Sequence, residues 1–267
     1  MGQYQPGEAE REGGDLSYGK YLRIPELLSL QTPVSEPMAH DELLFIVVHQ
    51  SFELWFDLVL FELESVRQAL FEGRTFPARH YLKRVQAIER MLIDHLGIIE
   101  SMSPQDFLQF RGYLSPASGF QSVQFREIEF ISGLKEPGLL SRLAVTTEER
   151  ERLDRRLAEP TLWDAFCALL EANGLPMPSG QDNVESRRAS LLKMMRDKDA
   201  YPELFYTGES LLTHDELFAL WRHHHVLMVE RQIGSKTGTG GTAGVSYLRT
   251  TLEKRFYPEL WELRSYL

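Results

Sequence analysis

Three consecutive histidines, His223, His224 and His225, stand in the stretch LWRHHHV of a chain that has only eight. The residues before them (Leu211, Leu212, Leu217, Phe218, Leu220, Trp221) and after them (Val226 to Val229) are spaced as on a helix, expected from about Leu211 to Ile233. Neighbouring side chains on a helix project about 100° apart, so the triplet cannot converge on one metal ion. His223 shares its stripe with Glu216, Ala219, Val226 and Glu230, a mixed and exposed pattern. His224 aligns with Leu217, Leu220 and Leu227, and His225 with Phe218, Trp221, Met228 and Val229. Periodicity demotes His223 and leaves the other two open.

A zinc site is disfavoured, because the sequence has no H-E-x-x-H, no histidine pair at i, i+4 here and one cysteine, Cys167. A lone imidazole among aromatics and methionine is the kind of ligand a haem iron accepts. His49, between Phe45 and Phe52 in the most apolar part of the chain, is either a satisfied core histidine or a neutral imidazole lining an apolar cavity. Arg111, flanked by Phe107 and Phe110, suits a structural carboxylate partner or bidentate capture of a ligand carboxylate equally well. The segment GSKTGTGGTAG, 234–244, satisfies a loose G-x-G-x-x-G/A pattern. It follows a helix in a strand-poor chain, so dinucleotide binding is rejected in favour of a connector or a closing loop offering Thr239. Cys167 reads as buried packing.

The elements that position these residues are helical nearly throughout. Asp41 reads as the N-cap of a long apolar helix ending at Gly73, with Glu53, Asp57 and Glu64 on one flank. A second helix is expected from near Pro77, with Leu82, Val85, Ile88, Leu92, Leu96 and Ile99 inward, and a third from Pro104. Residues 113–122 and 173–183 read as loops, residues 147–171 as two helices split at Pro160, and the C-terminal stretch from Val245 as mostly helical. The fold expected is all-α, one bundle-like domain over 17–267 after a flexible arm over 1–16.

A net charge of −10, from 29 Lys+Arg against 39 Asp+Glu, disfavours nucleic acid and anionic membranes as partners. One cysteine fits a reducing cytoplasm. The longest apolar run, Leu43 to Val48, is far short of a membrane span, and no signal-peptide or myristoylation pattern is read at the N-terminus.

Taken in order, the blocks YGKYLRIPELLSLQTP (18–33), HDELLFIVVHQSFELWF (40–56), DFLQFRGYLSPASGFQSVQFREIEF (106–130), LWRHHHVLMVERQIG (220–234) and GSKTGTGGTAGVSYLR (234–249) resemble the tryptophan 2,3-dioxygenase family. The resemblance implies haem b held by His225 with Trp221 beside it, and dioxygen as co-substrate. It implies His49 as the distal histidine at the indole nitrogen, and Phe45, with Ile46, Val47 and Val48 in the same block, as substrate contacts. It places the carboxylate-binding arginine at Arg111 and a loop residue meeting the amino-acid end at Thr239. Phe107 falls beside the substrate and Ser118 at the edge of the haem. Tyr18, Tyr21 and Leu22 match a segment that completes a neighbouring subunit's site, which implies a homotetramer. The activity implied is insertion of O2 across the indole C2–C3 bond of L-tryptophan to give N-formylkynurenine. The glycine loop GTGGTAG and the triplet HHH depart from the commoner family pattern. A related haem monooxygenase forming an oxindole from a tryptophan derivative is therefore the alternative, and a non-catalytic haem-binding sensor the second.

Overall fold

A computed structural model describes residues 16–241 and 243–267. Apart from Leu16, the expected N-terminal arm lies outside the described residues. In chain order the helices are α1 (Tyr18–Tyr21), α2 (Ile24–Leu27), α3 (Glu42–Phe71), α4 (Thr75–Glu100), α5 (Pro104–Arg111), α6 (Val123–Ser132), α7 (Thr147–Ala158), α8 (Leu162–Ala172), α9 (Val184–Arg196), α10 (Pro202–Ile233), α11 (Val245–Arg249) and α12 (Pro258–Glu262). No strand occurs among the described residues, and the all-α expectation holds.

Three long helices carry the architecture. α3 and α10 both pack along α4, and α6 and α8 cover α3. All six apolar positions named on α4 are buried, as their spacing of three and four requires. The start of α3 differs in detail from expectation. Asp41 occupies the N-cap position but makes no capping bond there; its carboxylate meets His40 Nδ1 at 2.6 Å. The next residue, buried Glu42, takes over, accepting from the backbone N–H groups of Val34 (2.7 Å) and Ser35 (3.0 Å) and from the Ser35 hydroxyl. The far end closes as expected. Gly73 sits at φ 70° and donates to Leu70, while the Arg74 N–H reaches the Ala69 carbonyl at 2.8 Å. This is the paired bonding that satisfies the orphan carbonyls of a helix C-terminus.

Three expectations are corrected. α10 begins at Pro202, not near Leu211, because proline's fixed φ and missing N–H suit a first helical turn. α9 is a helix absent from the sequence reading. The C-terminal stretch is helical only in α11, α12 and a short 3-10 turn, with residues 250–257 irregular. There the buried Asp215 carboxylate accepts from the Phe256 and Tyr257 N–H groups (2.9 and 3.0 Å) and from Trp261 Nε1 (2.9 Å). It thereby replaces helical bonds with a fixed anchor on α10.

By length and composition α3 is apolar enough to cross a membrane, which the short uninterrupted apolar run did not suggest. Here it packs against α4, α6 and α8, with Glu62 and Glu64 paired to Arg84 and Arg156.

Candidate active site

A long helix presents one narrow face to a cavity, and two of them meet here. From α3 come Phe45, His49, Phe52, Glu53 and Phe56, and from α10 Trp221, Arg222, His225, Met228 and Val229, each set spaced by three and four. α5 contributes Phe107 and Arg111, the loop before α6 contributes Ser118, and the segment after α10 contributes Gly238, Thr239 and Tyr247. The cavity has a volume of about 280 Å³, close to the lower end of the roughly 300–1,000 Å³ usual for a small-molecule pocket, and it opens to solvent through its mouth.

Of the two histidines that periodicity left open, only His225 lines the cavity. His225 is in the cavity wall with its ring stacked on Trp221, centroids 4.8 Å apart and planes 12° from parallel. Burial drives its pKa down to about 4, with His49 and His224 adding to the effect. The imidazole is therefore neutral at pH 7 and free to act as a nitrogen ligand. His224, one step round the helix, faces Glu100 at 3.3 Å, and His223 is exposed.

His49 Nδ1 donates to the Phe45 carbonyl at 2.7 Å. A carbonyl can only accept, so the proton is on Nδ1 and Nε2 is left as an acceptor. The accessible surface of His49 belongs to the cavity wall. Desolvation lowers its pKa, partly offset by the Phe45 bond and the charge of Glu53. The Phe45 ring lies 4.0 Å from His49, 5.8 Å from Phe107 and 5.5 Å from Phe110, forming an aromatic wall.

Arg111 ends α5 and donates to the Thr237 carbonyl. Thr239 Oγ1 donates to the Ala117 carbonyl at 2.7 Å. The glycine segment is thus held against the loop that bears Ser118. A Cβ on Gly240 would stand 2.5 Å from Ser118 Cβ, so this approach requires glycine. Ser118 also caps the turn Gly119–Gln121 through a reciprocal bond with Gln121.

Not every expected residue arrives. Ile46, Val47 and Val48 do not line the cavity: Val48 is in the core and Val47 is exposed, because only i and i+4 share a face. Tyr18, Tyr21 and Leu22 are exposed and lie outside this chain's own cavity. Cys167 packs on α8, its thiol pushed by burial up to about 12.

A polar group that sequence reasoning missed lies at the wall formed by α6. Buried Arg126 and Arg222 both donate to Glu129 (2.6 and 2.8 Å), and Arg126 Nε has no partner. Two guanidiniums against one carboxylate leave net positive charge in a chain of −10. The clue was present as charges inside the apolar run VQFREIEF. Among the described residues no three His, Cys, Asp or Glu side chains converge as a metal-binding group.

A family model described as tryptophan 2,3-dioxygenase matches residues 2–175 and 181–267. Relatives bearing that same description include one from Nocardioides sp., 51% identical over 261 residues and covering 96% of each chain. Another, from Herpetosiphon aurantiacus, is 44% identical over 94% of this chain and 98% of its own. A third, from Caulobacter vibrioides, is 41% identical over 95% and 99% respectively.

Proposed function

The chain belongs to the tryptophan 2,3-dioxygenase family, and from that premise we propose that it oxidises L-tryptophan to N-formylkynurenine, inserting both atoms of O2 across the indole C2–C3 bond. The observation that carries the reading is that one cavity gathers His225, His49 and Arg111 from three distant parts of the sequence.

The cavity suits haem b. It has mostly apolar walls, a mouth open to solvent, and one neutral, half-buried imidazole at His225. Trp221 holds that ring by stacking, and Ser118 stands at the cavity edge. The surplus positive charge of Arg126 and Arg222 suits the carboxylates a porphyrin carries. Haem would be held by His225 and, when bound, would supply the oxygen chemistry.

The remaining tasks belong to the chain. His49 Nε2 accepts the indole N–H and so orients the ring. Phe45 and Phe107 flank the indole and exclude water. Arg111 exchanges the Thr237 carbonyl for the substrate carboxylate, a stronger charge-assisted fork, while Thr239 meets the amino-acid end. Fixing both ends of the substrate converts an encounter into an oriented complex.

The quaternary reading follows the same premise. Residues 17–267 form one domain, and four copies assemble so that Tyr18, Tyr21 and Leu22 of one complete the site of another. Their exposure, with that of Leu43, Val47, Leu54 and Phe61 on α3, supports this, since apolar surface of such extent needs a cover. The assembly is cytoplasmic.

Purified protein is expected to carry about one haem b per chain and His225→Ala to lose it; full loading of that variant refutes the ligand assignment. Mass spectrometry of the product from L-tryptophan then separates the activities. Both oxygen atoms gained supports ring cleavage, a single oxygen supports the monooxygenase, and no turnover with haem bound supports the sensor.

A further inference from the structure

α6 and α10 run past one another and meet through side chains in successive rungs. At one end, buried Ser132 meets His214; in the middle Phe125 meets Phe218 and Trp221, and Glu129 meets Arg222; at the other, Ser122 and His225 both line the cavity. The last rung on α10 is therefore the cavity imidazole, and the first is a buried polar bridge.

That bridge has three members from three helices. His214 Nδ1 donates to Glu89 Oε1 on α4 at 2.6 Å, and its Nε2 is hydrogen-bonded to Ser132 Oγ on α6 at 2.9 Å. His214 and Ser132 are wholly buried and Glu89 nearly so, and the small void that Glu89 borders, about 10 Å³, is too small for a substrate. The arrangement serves no reaction. Both ring nitrogens are engaged, so the imidazole cannot turn without breaking two buried bonds, each costly to leave unmade.

We propose that Glu89, His214 and Ser132 are positioning residues for His225, their bridge fixing the rotation and register of α10 against α4 and α6 and hence the direction in which His225 enters the cavity. His214 and His225 are eleven residues apart, three helical turns to within about 20°, so a rotation set at one is inherited by the other. The other rungs hold this setting less tightly. The rings of Phe125, Phe218 and Trp221, 5.1 to 6.3 Å apart, slide at small cost. Arg222 is long and shares Glu129 with Arg126, so it follows a shift. A slip of one residue moves a helix about 1.5 Å along and 100° round, which would take His214 off both partners at once. The bridge also steadies the stack beneath it: the His214 ring lies 5.2 Å from Phe256, which packs 4.9 Å from Phe218.

The inference deepens the reading of His225 as the haem-holding residue, and its test separates the two. The variant Glu89→Leu/His214→Phe/Ser132→Ala replaces the whole bridge by apolar side chains of similar volume, leaving no stranded charge, so folding is expected to survive. In the haem-free chain, the His225 ring protons of the parent protein carry a ring-current shift from Trp221, read by side-chain NMR. The variant is expected to lose or split that signal. In the haem-loaded protein, haem release to an apoprotein scavenger is expected to quicken roughly tenfold with the melting temperature little changed. Parent-like His225 signals with parent-like release overturn the proposal, and so does a lowered melting temperature with those signals unchanged. Should the triple variant not fold, Ser132→Ala decides, with a smaller change in the same direction expected and an unchanged spectrum fatal. A parent protein that binds no haem refutes the earlier reading, while the haem-free NMR still tests this one.

Discussion

The two halves of α3 have the same apolar character and different fates. In the second half Val59, Leu60, Leu63, Val66, Ala69 and Leu70 are all buried, Leu63 with no accessible surface. In the first half Leu43 and Val47 each remain 43% exposed, while Phe45 and His49 face the cavity. The inward face of the second half is filled by the chain's own side chains, although Phe61 and Phe71 stay exposed on its outer side; the inward face of the first half walls a cavity. Stability is concentrated where the chain completes its own packing, and function where it does not.

Substitutions at the two ends sharpen that contrast. The largest effect on folding is expected from Leu63→Ala, about 3–5 kcal/mol by denaturant unfolding, because a filled site that cannot collapse loses both transfer energy and packing. A loss under about 1 kcal/mol would mean that the packed end is no tighter than the open one. Arg111→Lys at the open end should leave stability nearly unchanged yet lower kcat/KM for L-tryptophan about 10–100-fold. On the proposed role of Arg111, the substitution removes the two-pronged guanidinium while keeping the charge. Unaltered kinetics would remove Arg111 from the substrate's carboxylate.

The smallest effect concerns Glu42, which anchors the start of α3. Burial alone would raise its pKa, but the Ser35 hydroxyl and the Val34 and Ser35 N–H groups hold it below its ordinary value of 4.5. A folded-state pKa below the unfolded one contributes stability that is present above the unfolded value and lost as pH falls through the folded value. Glu42→Gln should therefore flatten the acid limb of stability below pH 4.5, read from melting temperatures down to about pH 3. Identical acid limbs would show that the carboxylate carries no such linkage.

Much of this was legible in the chain because it is written in local spacing. The α4 stripe, proline at the first turn of α5, the split at Pro160 and Gly73 beyond α3 each depend on neighbours within a turn or two. The loss of Ile46, Val47 and Val48 from the site was legible by the same rule, since adjacent residues on a helix cannot share a wall. Other features were not. The irregular run before α12 depends on Asp215, about forty residues earlier, reaching two backbone N–H groups. The Arg126–Glu129–Arg222 group joins helices whose partners no spacing pairs.

By itself the sequence determined an all-helical chain, its three long helices and a short set of residues capable of chemistry, since helix period and capping act over a few residues. Only the tertiary structure put His225 rather than His224 in the cavity wall, gave His49 one acceptor nitrogen, and set Arg111 beside the glycine loop. Burial, desolvation and shared walls depend on which faces of distant helices are turned toward one another, and a period of 3.6 residues does not fix that.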